Sequence, residues 1–151
     1  MSKRIITISR EFGSGGRTIG KMVAEKLGIA FYDKELIEKI AEETGFSQKF
    51  IEEYGEHAPG TNVFSYSFLG RDANGISMQD KIWMQQRKLI LDLAEKEPCV
   101  IVGRCADYIL RNRTDCLNVF IHASTEKKVE RIVKLYGETA DKPEKRLADK
   151  D

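Results

Sequence analysis

A glycine-rich turn near the N-terminus is the feature that most constrains this sequence. It follows a short β-branched run formed by Ile5, Ile6 and Ile8, which is typical of a buried parallel strand. The four residues Gly13-Ser-Gly-Gly16 carry little side-chain bulk, so their backbone N–H groups can point inward at an anion. From Arg17 the pattern is helical, and the positive end of a helix favours phosphate. The stretch therefore predicts a strand, an anion-binding turn and a helix.

The turn matches the P-loop pattern G-x-x-x-x-G-K-[ST] in part. In residues 11–18, Gly16 and Thr18 agree with the pattern, whereas Glu11 replaces the first glycine and Arg17 replaces the lysine. A guanidinium can grip phosphate oxygens, although it does not copy a compact ammonium. The dinucleotide pattern G-x-G-x-x-G fails, because Thr18 stands where its third glycine should be. An ordinary strand-to-helix turn is the alternative interpretation.

Composition narrows the class of protein. A chain of 151 residues, 41% hydrophobic and 32% charged, is expected to form a single globular domain. Its net charge of +1 does not favour nucleic acid or an anionic membrane as a partner. No apolar run approaches the ~20 residues of a membrane span, and the N-terminus does not match a secretory signal peptide. Cys99, Cys105 and Cys116 form no C-x-x-C pair, which predicts reduced thiols in a cytoplasmic protein.

Apolar runs and turn residues predict alternating strands and helices. Gly28 and Gly45 are candidate C-caps, and Asp33 is a candidate N-cap of the second helix. The first helix should turn Ile19, Met22, Val23 and Leu27 inward, and the last one Val129, Ile132, Val133 and Leu135. Further strands are predicted at residues 29–32, 99–102 and 117–121, with helices after Asp33 and over residues 47–54, 77–97, 106–110 and from 125.

Residues 55–76 are the least regular part of the chain. A stretch of this length without clear structure is typical of a functional or mobile loop within a domain. Its alternating aromatic residues, Phe64, Tyr66 and Phe68, could cover a substrate or pack into the core. The sequence leaves both alternatives open.

Short strands separated by helices predict an α/β domain with a parallel sheet. Sites in such sheets lie beyond the carboxyl ends of the strands. We therefore expect residues 9–18, 32–33, 103–104 and 122–124 to meet at one edge of the sheet.

Together these residues resemble the cytidylate kinase-like branch of the P-loop nucleoside monophosphate kinases. The resemblance covers nearly the whole chain and implies a P-loop NTPase-like three-layer αβα fold with helical lid and acceptor-binding insertions. It also implies transfer of the terminal phosphoryl group of ATP, with Mg²⁺, to an acceptor such as CMP or dCMP. Its anchors are Ile8-Ser-Arg-Glu-Phe-Gly-Ser-Gly-Gly16, Phe31-Tyr-Asp-Lys-Glu-Leu-Ile37, residues 100–110, and residues 118–131.

The resemblance also implies roles for individual residues. The donor's phosphates would be wrapped by Gly13, Ser14, Gly15 and Gly16, with Arg17 at the position of the P-loop lysine and Thr18 on Mg²⁺. On the acceptor side, Arg104 would grip the acceptor phosphate, and Asp33 would lie near the acceptor and the metal ion. Arg131 resembles the lid arginines that close over the transferring group, so the implied catalytic residues are Arg17, Arg104 and Arg131.

Several residues have a simpler interpretation. Arg104 could form a surface ion pair with Asp107, Arg131 could lie on a solvated helix face, and Asp33 could act only as a helix cap.

The sequence departs from the family's pattern after the second strand. Relatives follow the second strand with Asp-Thr-Gly-Ala and an arginine one turn later. Here the run after Asp33 differs and Lys39 takes the arginine's place as a substrate-binding candidate, which weakens the case for cytosine specificity.

Three classes of function follow from these observations. The first is a kinase acting on a small nucleotide acceptor, and the second, motivated by Arg17 in place of lysine, is a nucleotide-binding module without turnover. Nucleic-acid binding is the third class and is disfavoured, because the N-terminal basic residues alternate with strand positions instead of forming a basic patch that contains aromatic residues.

The C-terminal residues 137–151 are predicted to form a charged lid or post-lid helix. Relatives continue to a last strand and helix, so we expect the C-terminal part of the domain to be missing.

Overall fold

A computed structural model of the protein describes residues 4–45, 47–49 and 75–136. In this part of the chain, strands alternate with helices in the predicted order. The strands are β1 (Ile5–Arg10), β2 (Ala30–Tyr32), β3 (Cys99–Val102) and β4 (Cys116–Ile121). The helices are α1 (Gly16–Leu27), α2 (Lys34–Thr44), α3 (Met78–Lys96), α4 (Ala106–Ile109) and α5 (Thr125–Tyr136).

The four strands form one parallel sheet in the order β2-β3-β1-β4. Strand β1 lies between β3 and β4, with Ile5 opposite both Cys99 and Cys116. Ile5 and Ile8 are 0% and 2% exposed, as expected of a central strand. Because all strands run the same way, their carboxyl ends meet at a single edge. The predicted convergence of residues 9–18, 32–33, 103–104 and 122–124 is confirmed.

Apolar side chains cover both faces of the sheet. On one face Ile5 and Ile101 pack with residues from α2, α3 and α4, including Leu36, Ile90 and Ile109. On the other face Ile8, Val100 and Val102 pack with Ala24 from α1. A parallel sheet between two layers of helices is a three-layer αβα fold, and the predicted fold class is confirmed.

The predicted inner face of α1 is wrong. Ile19, Met22 and Leu27 are 40%, 53% and 58% exposed, and of the four predicted residues Val23 packs against the core, where it is partly buried. The buried residues of this helix are instead Gly16, Gly20 and Ala24, which recur every four residues.

The small residues of α1 allow a close approach to the sheet. A Cβ atom added to Gly20 would lie 2.9 Å from Ile8 Cδ1 and 3.0 Å from Val102 Cγ2. At this separation the sheet has no room for larger side chains, so the bulky residues of α1 turn outward. Hydrophobicity alone does not report such a contact, because glycine is neither strongly apolar nor a good helix former.

Other helix ends and faces agree with expectation more closely. Gly28 and Gly45 end α1 and α2 in the left-handed conformation, which confirms both predicted C-caps. Ser77 opens α3 with a capping box completed by Asp80. The predicted face of α5 is correct at the fully buried Ile132, whereas two other predicted residues, Val133 and Leu135, are 38% and 58% exposed.

Several predicted features lie outside the described residues. They include residues 50–54 of the short predicted helix, most of the irregular segment 55–76 with its aromatics Phe64, Tyr66 and Phe68, and the predicted lid region 137–151. Within the described ranges, none of the helices combines the length and the apolar character required to cross a bilayer.

Candidate functional site

Backbone hydrogen bonds hold the turn between β1 and α1, one to the end of β4 and one within the turn. The Glu11 N–H donates to the Ile121 carbonyl at 2.9 Å, and the Ser14 N–H donates to the Glu11 carbonyl at 3.2 Å. Gly15 is the N-cap of α1; no side chain caps the helix, and no acidic residue lies in its first turn. The first N–H groups of a helix have no intrahelical partner, so this end of α1 is suited to bind an anion.

The Ser14 side chain independently supports anion binding at this turn. Ser14 is 8% exposed, and its buried Oγ has no hydrogen-bond partner among the residues that the structure describes. A buried hydroxyl without a partner is unfavourable, so most such groups in proteins are paired. A phosphate oxygen in the loop would accept this hydrogen bond, and the residues present therefore fit a phosphorylated ligand.

Arg131 lies against the same loop. A Cβ atom added to Gly15 would lie 2.6 Å from Arg131 Cζ and 2.8 Å from Nη2. Gly15 also has a φ of +86°, which other residues rarely adopt, so glycine is required here for two reasons. Arg131 is half-buried at the loop, unlike a residue on a fully solvated helix face.

Arg17 and Asp33 form an ion pair across the edge of the sheet. The Nε of Arg17 lies 2.6 Å from the Oδ2 of Asp33, and their side chains are 63% and 14% exposed. Asp33 occupies the N-cap position of α2, yet its side chain makes no capping hydrogen bond. The predicted N-cap position of Asp33 is therefore confirmed, but its carboxylate pairs with Arg17 instead of with the first N–H groups of α2.

Thr18 and Lys39 lie on the helices that follow the first two strands. Thr18 is exposed in the first turn of α1, and the Nζ of Lys39 lies 5.3 Å from the centre of the Tyr32 ring. Burial and a hydrogen bond to Glu97 raise the pKa of Tyr32, so its hydroxyl stays protonated at neutral pH. Because Tyr32 is the last residue of β2, the position of Lys39 over its ring places the ammonium beside the end of that strand.

The described residues contain no cluster of three or more His, Cys, Asp or Glu that could hold a metal ion. Mg²⁺ commonly takes only one or two protein ligands and fills its other positions with water and phosphate oxygens. The hydroxyl of Thr18 and the oxygens of a bound triphosphate would match this coordination preference of Mg²⁺.

Arg104 lies two residues beyond the end of β3, after Gly103, at the same edge of the sheet. It is 5% exposed, which is inconsistent with a surface ion pair. Its φ of +57° continues a run of left-handed residues that starts at Gly103 and ends at Cys105. Gln86 donates from Nε2 to the Arg104 carbonyl at 2.9 Å.

A contact that the sequence did not predict joins the loop to α5. Lys128 Nζ lies 3.1 Å from Glu11 Oε2, and the Ala123 N–H lies 3.4 Å from the same oxygen. The pair joins the first turn of α5 to the start of the loop. Lys128 and Arg131 are three residues apart and so lie on the same side of the helix, a spacing that could have suggested a shared partner.

The two partners of this ion pair should respond differently to neutralisation. The Lys128 side chain is 9% exposed and that of Glu11 is 30% exposed, so water can replace the partner of Glu11 more easily than that of Lys128. We expect Glu11→Gln to lower the free energy of unfolding by about 2 kcal/mol and Lys128→Met to lower it by about 1 kcal/mol. Urea unfolding of both variants measures the difference.

The exposed ion pair Lys127–Glu130 on the same helix provides a matched control. Lys127→Met and Glu130→Gln should each change the unfolding free energy by less than about 0.5 kcal/mol. Equal effects of Glu11→Gln and Lys128→Met, or a larger effect of the lysine substitution, would contradict the argument from burial.

Comparison with known proteins shows which family the sequence of this chain matches. A family model described as the cytidylate kinase-like family matches residues 5–151. A cytidylate kinase from Archaeoglobus fulgidus is 31% identical over 134 residues, which are 87% of this chain and 62% of that protein's length. The chain therefore spans less than two thirds of this relative.

Solved structures share the fold. An uncharacterised protein from Eubacterium ventriosum matches 96% of this chain and 69% of its own at 27% identity, with a TM-score of 0.67. Shikimate kinases from Acinetobacter baumannii and Bacteroides thetaiotaomicron match at TM-scores of 0.54 and 0.55 with 18% and 21% identity. They cover 97% and 96% of this chain, and 73% and 75% of their own. The similarity to these two shikimate kinases concerns the fold alone.

The family model, by contrast, matches nearly the whole length of the sequence. This chain therefore belongs to the cytidylate kinase-like family.

Proposed function

We propose that this protein transfers the terminal phosphoryl group of ATP to the phosphate of a nucleoside monophosphate. The observation that carries the proposal is the buried Ser14 hydroxyl, which has no partner among the described residues and lies in a glycine-rich loop ahead of an uncapped helix. An ATP phosphate would accept this hydrogen bond and those of the free helical N–H groups. We further propose that residues 1–151 act as a single P-loop kinase-like domain.

The donor nucleotide would be held by the loop. The backbone of Gly13, Ser14, Gly15 and Gly16 would surround its phosphates, with Arg17 supplying the positive charge that a lysine supplies in the standard P-loop pattern. Thr18 would contribute its hydroxyl to Mg²⁺. When bound, Mg²⁺ would neutralise part of the negative charge on the phosphate oxygens.

The acceptor would bind beside the donor, at the ends of β2 and β3. Strands β3 and β1 are neighbours in the sheet and are typically about 4.8 Å apart, so Arg104 and the loop follow the ends of adjacent strands. Arg104 would hold the acceptor phosphate, and Asp33 and Lys39 would contact the remainder of the nucleotide. The name of the Archaeoglobus relative supports a cytidine monophosphate such as CMP or dCMP as the acceptor.

The chemistry that this site can provide is electrostatic. Phosphoryl transfer needs positive charge placed around oxygens whose charge shifts during the reaction, and it needs little covalent help from the protein. Arg17 in the first turn of α1 and Arg131 against Gly15 would supply this charge from two sides of the loop. Arg104 would supply it from the acceptor side.

A nucleotide-binding module without turnover is the second candidate. It is favoured by Arg17, which replaces the usual lysine and lies 2.6 Å from the Asp33 carboxylate. An arginine held in this way could bind ATP without following the phosphoryl group as it moves.

A coupled assay with ATP, Mg²⁺ and a panel of nucleoside monophosphates separates the two functions. We expect ADP formation that depends on the acceptor and is fastest with CMP or dCMP. Binding of ATP in calorimetry, without phosphorylated product for any acceptor, would favour the binding module. Absence of ATP binding would refute both.

A further inference from the structure

Gln86 is a polar residue within an apolar helix face. It lies on α3, four residues after Ile82 and four before Ile90, and these two residues are 1% and 0% exposed. Gln86 itself is 0% exposed. Burial of an amide is unfavourable unless hydrogen bonds replace those it made with water. Packing alone therefore does not account for glutamine at this position.

The Gln86 amide contacts the backbone of Arg104. Its Nε2 donates to the Arg104 carbonyl at 2.9 Å, at the centre of the left-handed run Gly103, Arg104 and Cys105, with φ values of 72°, 57° and 54°. Residues other than glycine rarely adopt this conformation and keep it only where their surroundings impose it. The hydrogen bond from α3 is such a restraint.

Backbone hydrogen bonds hold the residues on either side of Arg104, and on the later side the Ile109 N–H donates to the Cys105 carbonyl at 3.0 Å. The Gly103 N–H donates to the Ile8 carbonyl at 2.9 Å, and the Ala106 N–H donates to the Gly103 carbonyl at 3.2 Å. The bond from Gln86 acts one residue later, at the residue whose side chain we assign to the acceptor phosphate. A change in φ or ψ at Arg104 would redirect its guanidinium.

The second polar atom of the Gln86 amide argues against a purely stabilising role. Its Oε1 is buried and has no hydrogen-bond partner in the part of the chain that the structure describes. The cost of this unsatisfied oxygen offsets much of the stability that the Nε2 hydrogen bond contributes, so the net gain in stability from the amide is small. Stability therefore does not explain the residue, whereas its contact with Arg104 does.

We propose that Gln86 is a positioning residue for acceptor binding, which holds the Arg104 backbone in the conformation that presents the guanidinium to the acceptor phosphate. The inference rests on the proposed function, because it needs Arg104 to bind that phosphate. Gln86 itself does not touch the acceptor, so its substitution should leave the donor site unchanged.

The test compares Gln86→Met with Gln85→Met. Gln85 is the preceding residue of α3, where its amide bonds the Glu43 carboxylate, and it provides the same chemical change outside this contact. We expect Gln86→Met to weaken CMP binding in calorimetry and to lower kcat/KM for CMP by about 10- to 100-fold. The KM for ATP should stay the same, and the midpoint of thermal unfolding should move by less than about 4 °C. Gln85→Met should leave all four quantities near those of the wild type.

The same substitution in an Arg104→Ala background identifies the route of the effect. If Gln86 acts through the Arg104 guanidinium, Gln86→Met should cause no further loss of CMP binding once that guanidinium is absent. A full additive loss in the double variant, or unchanged CMP binding in Gln86→Met alone, would overturn the inference about Gln86. If Arg104→Ala itself leaves CMP binding unchanged, the assignment of Arg104 in the proposed function fails, and the inference fails with it.

Discussion

Replacing Arg17 with alanine should remove most of the proposed phosphoryl transfer and leave the fold intact. The residue lies in the first turn of α1, directly after the glycine-rich loop, and its side chain is 63% exposed. We expect kcat to fall by about 10²- to 10³-fold, the usual effect of removing one group that stabilises transition-state charge. Stability should change by less than about 1 kcal/mol, because the ion pair with Asp33 is largely open to solvent on the arginine side. Steady-state kinetics and urea unfolding measure the two effects.

Lys21→Ala is the matched control for this prediction. Lys21 is an exposed cation on the same helix, and we expect its substitution to leave kcat within about 2-fold of the wild type. Arg17→Lys separates charge from shape, since a lysine keeps the charge and loses the planar fork of the guanidinium. If Arg17→Ala retained full activity, Arg17 would have no role in catalysis, and the loop would act through its backbone and the Ser14 hydroxyl.

The second large effect is on folding. We expect Gly20→Val to lower the free energy of unfolding by about 3 kcal/mol, because even a Cβ atom would lie 2.9 Å from Ile8 Cδ1 and 3.0 Å from Val102 Cγ2. Both neighbours are core residues of the sheet and are at most 2% exposed, so they have little room to move. Denaturant unfolding measures the loss. Since α1 carries the loop at its N-terminus, ATP binding should weaken in the same variant.

Lys21→Val is the control for introducing a valine into α1 away from the sheet, since helix propensity itself favours valine over glycine and cannot explain a loss at position 20. A valine at this exposed neighbouring position should cost about 0.6 kcal/mol, since a β-branched residue loses side-chain freedom in a helix. The difference between the two variants reports the close contact between α1 and the sheet. Equal losses for Gly20→Val and Lys21→Val would mean that the helix can move away from the sheet at no cost.

Local patterns predicted most of the architecture. The strands at Ile5–Arg10 and Cys99–Val102 follow from apolar β-branched runs, and the helix ends at Gly28 and Gly45 follow from glycine's tolerance of the left-handed conformation. The edge where the site lies followed from the alternation of strands and helices, because strands connected in this way run parallel and all end at the same edge of the sheet. These features depend on neighbours in sequence or on topology, which a single sequence contains.

The pairing of charged and polar groups could not be predicted in the same way. Arg17 contacts Asp33, Lys128 contacts Glu11, and Gln86 contacts the Arg104 carbonyl. Each contact joins different elements, and its partner is chosen by the distances that packing creates. For Gln86 a signal existed, since four-residue spacing places it between Ile82 and Ile90 on the buried face of α3, but the sequence does not reveal which group it meets.

By itself, the sequence determined the glycine-rich turn, the order of strands and helices, and the edge of the sheet where the cationic residues gather. Only the tertiary structure decided that α1 lies on the sheet through Gly16, Gly20 and Ala24 while its larger apolar residues face outward. It also decided that the carboxylate of Asp33, the N-cap residue of α2, pairs with Arg17 and makes no capping hydrogen bond. The physical reason is that hydrophobic periodicity reports which residues favour burial, whereas the distance between packed elements decides which of them fit.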